Sequence, residues 1–395
     1  MRFSPRIATP PTPWPAAEKD VPVSALLSAP GSFALLWAAQ FFAFGAILPF
    51  LPAILAEGGL SAGQLGAVLA AGSLVRLLAA PMGGLIADRA ADIRRVLALG
   101  CLLAAAAALG FGFAAGFAAL LAVQVLHSAL AAPVVPLSDA LALGAVRAGR
   151  FDYARVRSVG SIAFIGGAVL AGQAAELWGP RAAAWLLAAG LGLSALAALG
   201  LPAVPPRPRE AKPSLWAPLR EVSFRRILPV AAVIQGSHAV YYGFSTLHWQ
   251  AAGLGSGFVG FLWGLGVAAE VVLFIYGRSL ADRLGLRGLA LLAALGGVLR
   301  WSVSAETVHP LALVAVQLLH GATFGAMHLA AMRALLGLKQ GLAGRAQALL
   351  ASAVSASTGG LIWLSGPLYA ALGGQAFWAM AALCALALPL AWRLR

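Results

Sequence analysis

Residues 73–89 read SLVRLLAAPMGGLIADR, and residues 267–283 read VAAEVVLFIYGRSLADR. An offset of 194 lays Gly83 on Gly277, Ala87-Asp88-Arg89 on Ala281-Asp282-Arg283, and Arg76 on Glu270. VQVLH at 123–127 and VQLLH at 316–320 repeat at an offset of 193, and QFFAFG at 40–45 answers HAVYYG at 238–243 at 198. Three matches at nearly one spacing mark an internal repeat of about half the chain. Each match is short, so shared apolar composition is the competing explanation.

The surroundings show what is repeated. Of 395 residues, 61% are hydrophobic and 10% charged, whereas a soluble domain carries roughly 25% charged residues. That is too little polar surface for a water-soluble particle of this length. Apolar runs of about 18–25 residues recur, the length a helix needs to cross about 30 Å of hydrocarbon. They predict spanning helices at 33–56, 63–86, 96–115, 117–141, 157–177, 182–202, 226–248, 257–277, 287–305, 309–332, 345–371 and 374–392. The alternating ten-residue strands of a membrane barrel are missing. The expected fold is an all-α polytopic membrane protein with about twelve transmembrane helices in two six-helix bundles.

Four segments follow. Residues 1–30, Pro-rich and of mixed charge, read as a disordered tail rather than a signal peptide. Residues 31–202 and 226–395 form the two halves, the second with a short tail. The linker 203–225 carries prolines at 205, 206, 208, 213 and 218, and Leu215, Trp216 and Leu219 offer an interfacial patch.

The formal charge of +14 invites a nucleic-acid reading, which its distribution opposes. Of 27 basic residues, 24 fall in or beside the tails and the even-numbered connections; Arg181 lies on the other side, and Arg76 and Arg300 lie within spans. This positive-inside pattern predicts cytoplasmic termini and lipid partners, not nucleic acid. Cys101 and Cys384 sit in spans of opposite halves, which opposes a disulfide or a metal role.

Two similarly oriented halves imply a secondary carrier with a central cavity between them. Charge near mid-span costs at least about 2.5–3.5 kcal/mol on insertion scales. Arg76 and Glu270 are therefore expected to face a wet cavity or each other, across the pseudo-twofold axis. Unpaired, Arg76 suits an anionic substrate and Glu270 a coupled proton; paired, they are a structural ion pair.

Gln124 with His127, and Gln317 with His320, stand three apart on one helix face, either as proton relays or as core groups satisfying each other. His328, eleven residues beyond Gln317, returns near its azimuth. Asp139 follows Pro133 and Pro136, which open or kink the fourth span beside it. His238, Tyr241 and Tyr242 share a face of the seventh span and offer ring surface to an aromatic solute, or merely pack. His248 and Trp249 suit an interfacial belt, and Arg300 an anion entering from outside or a snorkelling side chain. At the end of span two, Gly83, Asp88 and Arg89, with Arg94 and Arg95, read as a gating contact; Gly277, Asp282 and Arg283 are its second copy.

No nucleophile arrangement, acidic cluster or metal spacing supports an enzyme, no repeated filter a channel, and no phosphate loop an ATP-driven pump. No cofactor or metal is expected.

The twelve spans, the six-plus-six repeat and GGLIADR followed by Arg94-Arg95 resemble the major facilitator superfamily, although residues between Arg89 and Arg94 depart from the commonest signature. PLSDALA at 136–142, FDYARVRSVGSIAF at 151–164, QGSHAVYYGFSTLHWQAAG at 235–253, GFLWGLGVAAEVV at 260–272 and HLAAMRA at 328–334 resemble the phenylpropionate permease group, related to sugar and nucleoside proton symporters. That resemblance covers about residues 30–392. It implies an inner-membrane carrier of an aromatic carboxylate such as 3-phenylpropionate, driven by proton symport; the chain is expected to function as a monomer. The alternative is a proton-coupled carrier of nucleosides, sugars or an exported drug-like solute.

Overall fold

The computed structural model describes residues 28–202, 214, 216–339 and 342–394. The tail expected at 1–30 therefore lies almost wholly outside the described residues, as do 203–213 and Leu215 of the linker.

Fifteen α-helices are described. The first half holds α1 (Ala29–Glu57), α2 (Ala62–Arg89), α3 (Ile93–Phe113), α4 (Phe117–Ala131), α5 (Val134–Arg147), α6 (Tyr153–Trp178) and α7 (Ala182–Leu199). The second holds α8 (Val222–Gly236), α9 (Ala239–Ala251), α10 (Ser256–Tyr276), α11 (Arg278–Glu306), α12 (Pro310–His320), α13 (Ala326–Leu336), α14 (Ala343–Leu372) and α15 (Phe377–Trp392). Helix dominates because hydrocarbon offers no partner for backbone groups, which must then bond within their own segment.

Ten helical stretches are each long and apolar enough to cross a membrane. One of these, Ala343–Trp392, contains both α14 and α15, and α8 with α9 form a further crossing broken at Ser237 and His238. About twelve crossings result, as the hydrophobic runs predict. The fourth crossing is α4 and α5, interrupted at Ala132 and Pro133 where the prolines lead one to expect a break. The tenth is α12 and α13 joined by a π-helical turn, Gly321–Gly325.

Polar residues fix helix starts. Ser61 and Gln64 form a reciprocal capping box on α2, satisfying two otherwise orphaned donors. Asp92 caps α3 and Asp152 caps α6, accepting from Arg94 and Arg155 amides at 2.9 and 2.8 Å.

Within each half the helices pack mainly α1 with α6 and α7, α3 with α7, and in the second half α11 with α15 and α8 with α14. The halves meet chiefly through α6 with α10 and α2 with α14. These two contacts are built alike. A Cβ on Gly66 would come within 2.9 Å of the Ile362 carbonyl, and one on Gly366 within 2.6 Å of the Ala62 carbonyl. A Cβ on Gly172 would meet the Ser256 carbonyl at 2.7 Å, and one on Gly260 would overlap that of Ala168. Only hydrogen at these positions lets the backbones approach so closely. Gly66 and Gly260 differ by 194, and so do Gly172 and Gly366, so the contacts obey the offset of the sequence repeat.

Both glycine contacts lie at the face of the molecule opposite the basic connections. Two cross-half hydrogen bonds join them there: Thr246 Oγ1 donates to the Pro49 carbonyl at 2.6 Å, and the Gly257 amide to Glu176 at 3.0 Å.

Candidate functional site

The second half encloses a charged network. Arg300, on α11, is 1% exposed. It donates to Gln317 Oε1 at 2.7 Å, to His320 Nδ1 at 2.8 Å and to Thr323 Oγ1 at 3.2 Å, with His238 Nε2 at 3.4 Å. Its guanidinium also lies 4.8 Å from the Tyr241 ring centroid and 4.5 Å from that of Trp301. Charge-assisted hydrogen bonds and ring faces together offset the loss of water around the cation.

Arginine can only donate, and this fixes the neighbouring protons. His320 accepts through Nδ1, so in its neutral form it carries hydrogen on Nε2, which stands 3.8 Å from the Glu270 carboxylate. His238 accepts through Nε2, and its Nδ1 donates towards the carbonyls of Ile234 and Gln235, both at 3.2 Å. Gln317 accepts through its oxygen and donates to the Tyr241 hydroxyl at 3.0 Å. Polar groups thus lead from partly exposed Glu270, across a 3.8 Å gap to His320 and then by a hydrogen bond to a fully buried cation.

Local backbone makes this possible. Gly266 and Gly321 bring α10 against the end of α12 beside Glu270; a Cβ on Gly321 would lie 2.8 Å from the Ala269 carbonyl. The π-turn immediately after His320 presents Thr323 to Arg300, and such turns recur at functional sites.

The equivalent region of the first half is differently occupied. His127, the counterpart of His320, is buried with Nδ1 3.0 Å from the Ala104 carbonyl and its ring against Phe111. It is a satisfied core residue between α3 and α4. Gln124 does not pair with it; its amide packs under Gly72, and its Oε1 is buried without a hydrogen-bond partner.

Arg76 is exposed although it lies near the middle of α2, a helix long and apolar enough to cross a membrane. It shares a face of α2 with Gly72 and Gly83, which pack against Gln124 and Pro133 respectively. Among the described residues Arg76 makes no hydrogen bond or ion pair, and none joins it to Glu270. The feasible Arg76–Glu270 pair is therefore not formed: Glu270 faces His320 instead.

Asp139, half-buried on α5, accepts from the Tyr153 hydroxyl at 3.0 Å. Arg157, one turn further along α6, stacks 3.8 Å from the Phe41 centroid and is near enough to act on Asp139 electrostatically. Trp37 meets Tyr153 edge-on at 5.4 Å.

Several expectations change. Arg300 neither snorkels nor meets an entering anion, because α11 buries it at the centre of the network. His238 and Tyr241 are enclosed; of the three ring residues on that face Tyr242 alone is half-buried, stacked on His238 and 6.0 Å from Trp263. Trp249 is 2% exposed and His248 leans on Tyr369 and Phe377, so neither forms an interfacial belt. His328 is exposed beside Phe274, away from buried Gln317, because the π-turn between them breaks the 100° step on which their shared azimuth depended.

The gating candidates also separate. Gly83 lets α2 pack on Pro133, while Asp88 and Arg89 are exposed in the last turn of α2. Just beyond, Arg94 hydrogen bonds hold the Asp92 carboxyl below its ordinary value, and Arg94 also reaches the Leu201 carbonyl at 2.8 Å. In the second copy Asp282 pairs with Arg333 of α13, a residue the repeat does not reveal; Arg283 is exposed.

Paired six-helix halves with costly buried polar groups define a membrane transporter. A family model described as "MFS_1 like family" matches residues 33–380. The chain belongs to that family. It is 37% identical over 360 residues to the "Probable 3-phenylpropionic acid transporter" of Escherichia coli, covering 88% of this chain and 93% of that protein. The solved nucleoside transporter NupG superposes with a TM-score of 0.77 at 16% identity, covering 93% of this chain and 98% of that one. A bacterial homologue of the lysosomal transporter Spinster, inward-facing and unoccupied, gives 0.71 at 14% identity over 92% and 95%. At such low identity these two similarities establish the fold alone.

Proposed function

We propose that the protein is a monomeric secondary carrier of a small aromatic carboxylate such as 3-phenylpropionate, driven by proton symport across the bacterial inner membrane. The observation that carries this reading is Arg76, an exposed cation near mid-span of α2 with no ion pair or hydrogen bond among the described residues. A substrate carboxylate supplies the missing counter-charge, and half-buried Tyr242 supplies ring surface for its aromatic end. The E. coli relative's name supports the substrate class.

With the basic connections at the cytoplasm, both termini are cytoplasmic and the contacts at the opposite face close the periplasmic side. The cavity then opens inward. Glu270 is the proposed proton site: protonation removes the one negative charge beside His320 and changes its pull on the π-turn, biasing the exchange between inward and outward states. Asp88, Arg89, Asp282 and Arg283 are proposed to hold the cytoplasmic ends during that exchange.

The test is uptake of labelled 3-phenylpropionate by proteoliposomes with and without an imposed proton gradient. Arg76→Ala should weaken carboxylate binding by about 10- to 150-fold, the worth of a lost charged hydrogen bond, and neutral analogues much less. Equal weakening of both removes Arg76 as the charge reader. Glu270→Gln should abolish gradient-driven accumulation while retaining exchange; wild-type accumulation removes the proton assignment. Uptake of nucleosides or sugars in place of aromatic acids discards the substrate and keeps the carrier.

A further inference from the structure

A cluster of arginines surrounds a cavity of about 620 Å³ at the basic ends of α8, α11 and α15. Arg225 and Arg226 enter it from α8, Arg287 from α11, and Arg393 from just beyond α15, with Leu390 and Trp392 completing the rim. Four guanidiniums from three elements converge here, and among the described residues the lining contains no carboxylate. The nearest acid along the chain, Glu221, is one turn before Arg225 and pairs with Lys339 at 3.2 Å.

Like charges gather at a cost unless an anion sits among them. The arginines are also braced: Arg287 Nε donates to the Leu394 carbonyl at 2.8 Å and stacks 5.5 Å from Trp392, and Arg226 reaches the Arg393 carbonyl at 3.4 Å. Each of these braces engages one donor of a guanidinium that has five, leaving the others for a ligand. We propose that this cavity binds the phosphate of an anionic phospholipid headgroup.

A phosphate oxyanion matches the forked donors of arginine. The same chemistry is presented by a soluble phosphate ester, but the rim favours lipid. Trp392 is 64% exposed and stands with Leu390 at the helix ends, the depth at which tryptophan borders headgroups and apolar side chains meet acyl chains. Basic pockets between helix ends are suited to anionic headgroups for this reason. The bound lipid would tie together the ends of three crossings of the second half. This inference does not depend on the identity of the transported substrate.

The experiment compares retention of phosphatidylglycerol and phosphatidylcholine by the full-length protein, using native mass spectrometry after controlled delipidation and titration in nanodiscs. Wild type should bind phosphatidylglycerol selectively, and more weakly as ionic strength rises. Arg225→Gln with Arg287→Gln should reduce that affinity by about 30-fold, taking roughly fivefold per arginine near an anionic surface. Arg150→Gln with Arg155→Gln, on another basic connection, should leave it within twofold.

Equal retention of the two lipids overturns the proposal, as does unchanged phosphatidylglycerol affinity in the Arg225/Arg287 variant. Competition by glycerol phosphate at the same concentration as lipid reassigns the site to a soluble anion and overturns the lipid. Should the double variant fail to fold, Arg393→Gln and the salt titration of wild type decide: affinity unaffected by both refutes the site.

Discussion

Gly260→Ala tests how the halves are held together. The added Cβ would overlap the Ala168 carbonyl and lie 3.0 Å from Gly172 Cα. Every close atom belongs to α6 in the opposite half and is backbone, so no side-chain rotation relieves the clash. The strain therefore falls on the closed contact between halves and spares the packing of each half. Overpacking of this kind costs about 1–3 kcal/mol, which moves a two-state equilibrium by about 5- to 150-fold. The state with this face closed should lose population to the state with it open. Spin labels at Trp178→Cys and Ala252→Cys, on the ends of α6 and α9, would report the change as a longer distance component; native Cys101 and Cys384 are fully buried and should remain unlabelled. Gly366→Ala, whose Cβ would meet the Ala62 carbonyl at 2.6 Å, should act in the same direction. Unchanged distance distributions in both folded variants would refute the idea that these glycines set the balance between states.

Gln317→Leu removes an acceptor from Arg300 and the donor to Tyr241. It should lower stability by about 1.5–3 kcal/mol, the worth of a hydrogen bond to a charged group, and a thermal melt equal to wild type would show that Arg300 finds another partner. Asp92→Asn weakens the cap of α3 and the bonds to Arg94. Because Asp92 titrates below its ordinary value in the folded protein, its contribution is present above the unfolded carboxyl pKa of about 3.9 and is lost as pH falls through the lower folded value. The stability difference from wild type should therefore shrink towards pH 3, and a gap that widens on acidification contradicts the assignment.

How much of this could be read from the chain depended on whether the partner was local. Pro133 stands at the break of the fourth crossing as expected, whereas Pro136 lies inside α5 and Pro49, Pro52 and Pro81 lie inside unbroken helices, so a missing amide alone does not locate a break. Asp139 and Tyr153 lie 14 residues apart on neighbouring helices, and the sequence pointed to Asp139 only through Pro133 and Pro136, not through this partner. His127 and His320 stand in nearly identical pentapeptides, yet one is inert core and the other joins the charged network. The difference lies on another helix: Arg300 has alanine at its repeat-related positions 106 and 107. Local sequence around a histidine cannot contain that fact. Likewise Gly66, Gly172, Gly260 and Gly366 obey the repeat, but among 46 glycines nothing marks them until the opposing backbone is seen. The π-turn was signalled only by the glycines bounding GATFG, a pattern shared with ordinary apolar helix.

The break at Ser237 and His238 divides the seventh crossing in two and would let the second piece act as a lever. Its thirteen residues span about 20 Å at 1.5 Å each. The far arm is latched to the other half through Thr246 and Pro49, while the fulcrum is the histidine that faces Arg300. Releasing the latch would swing the arm about that fulcrum. A displacement begun at one surface of the membrane would thus be delivered as a small rotation of an imidazole against a buried cation.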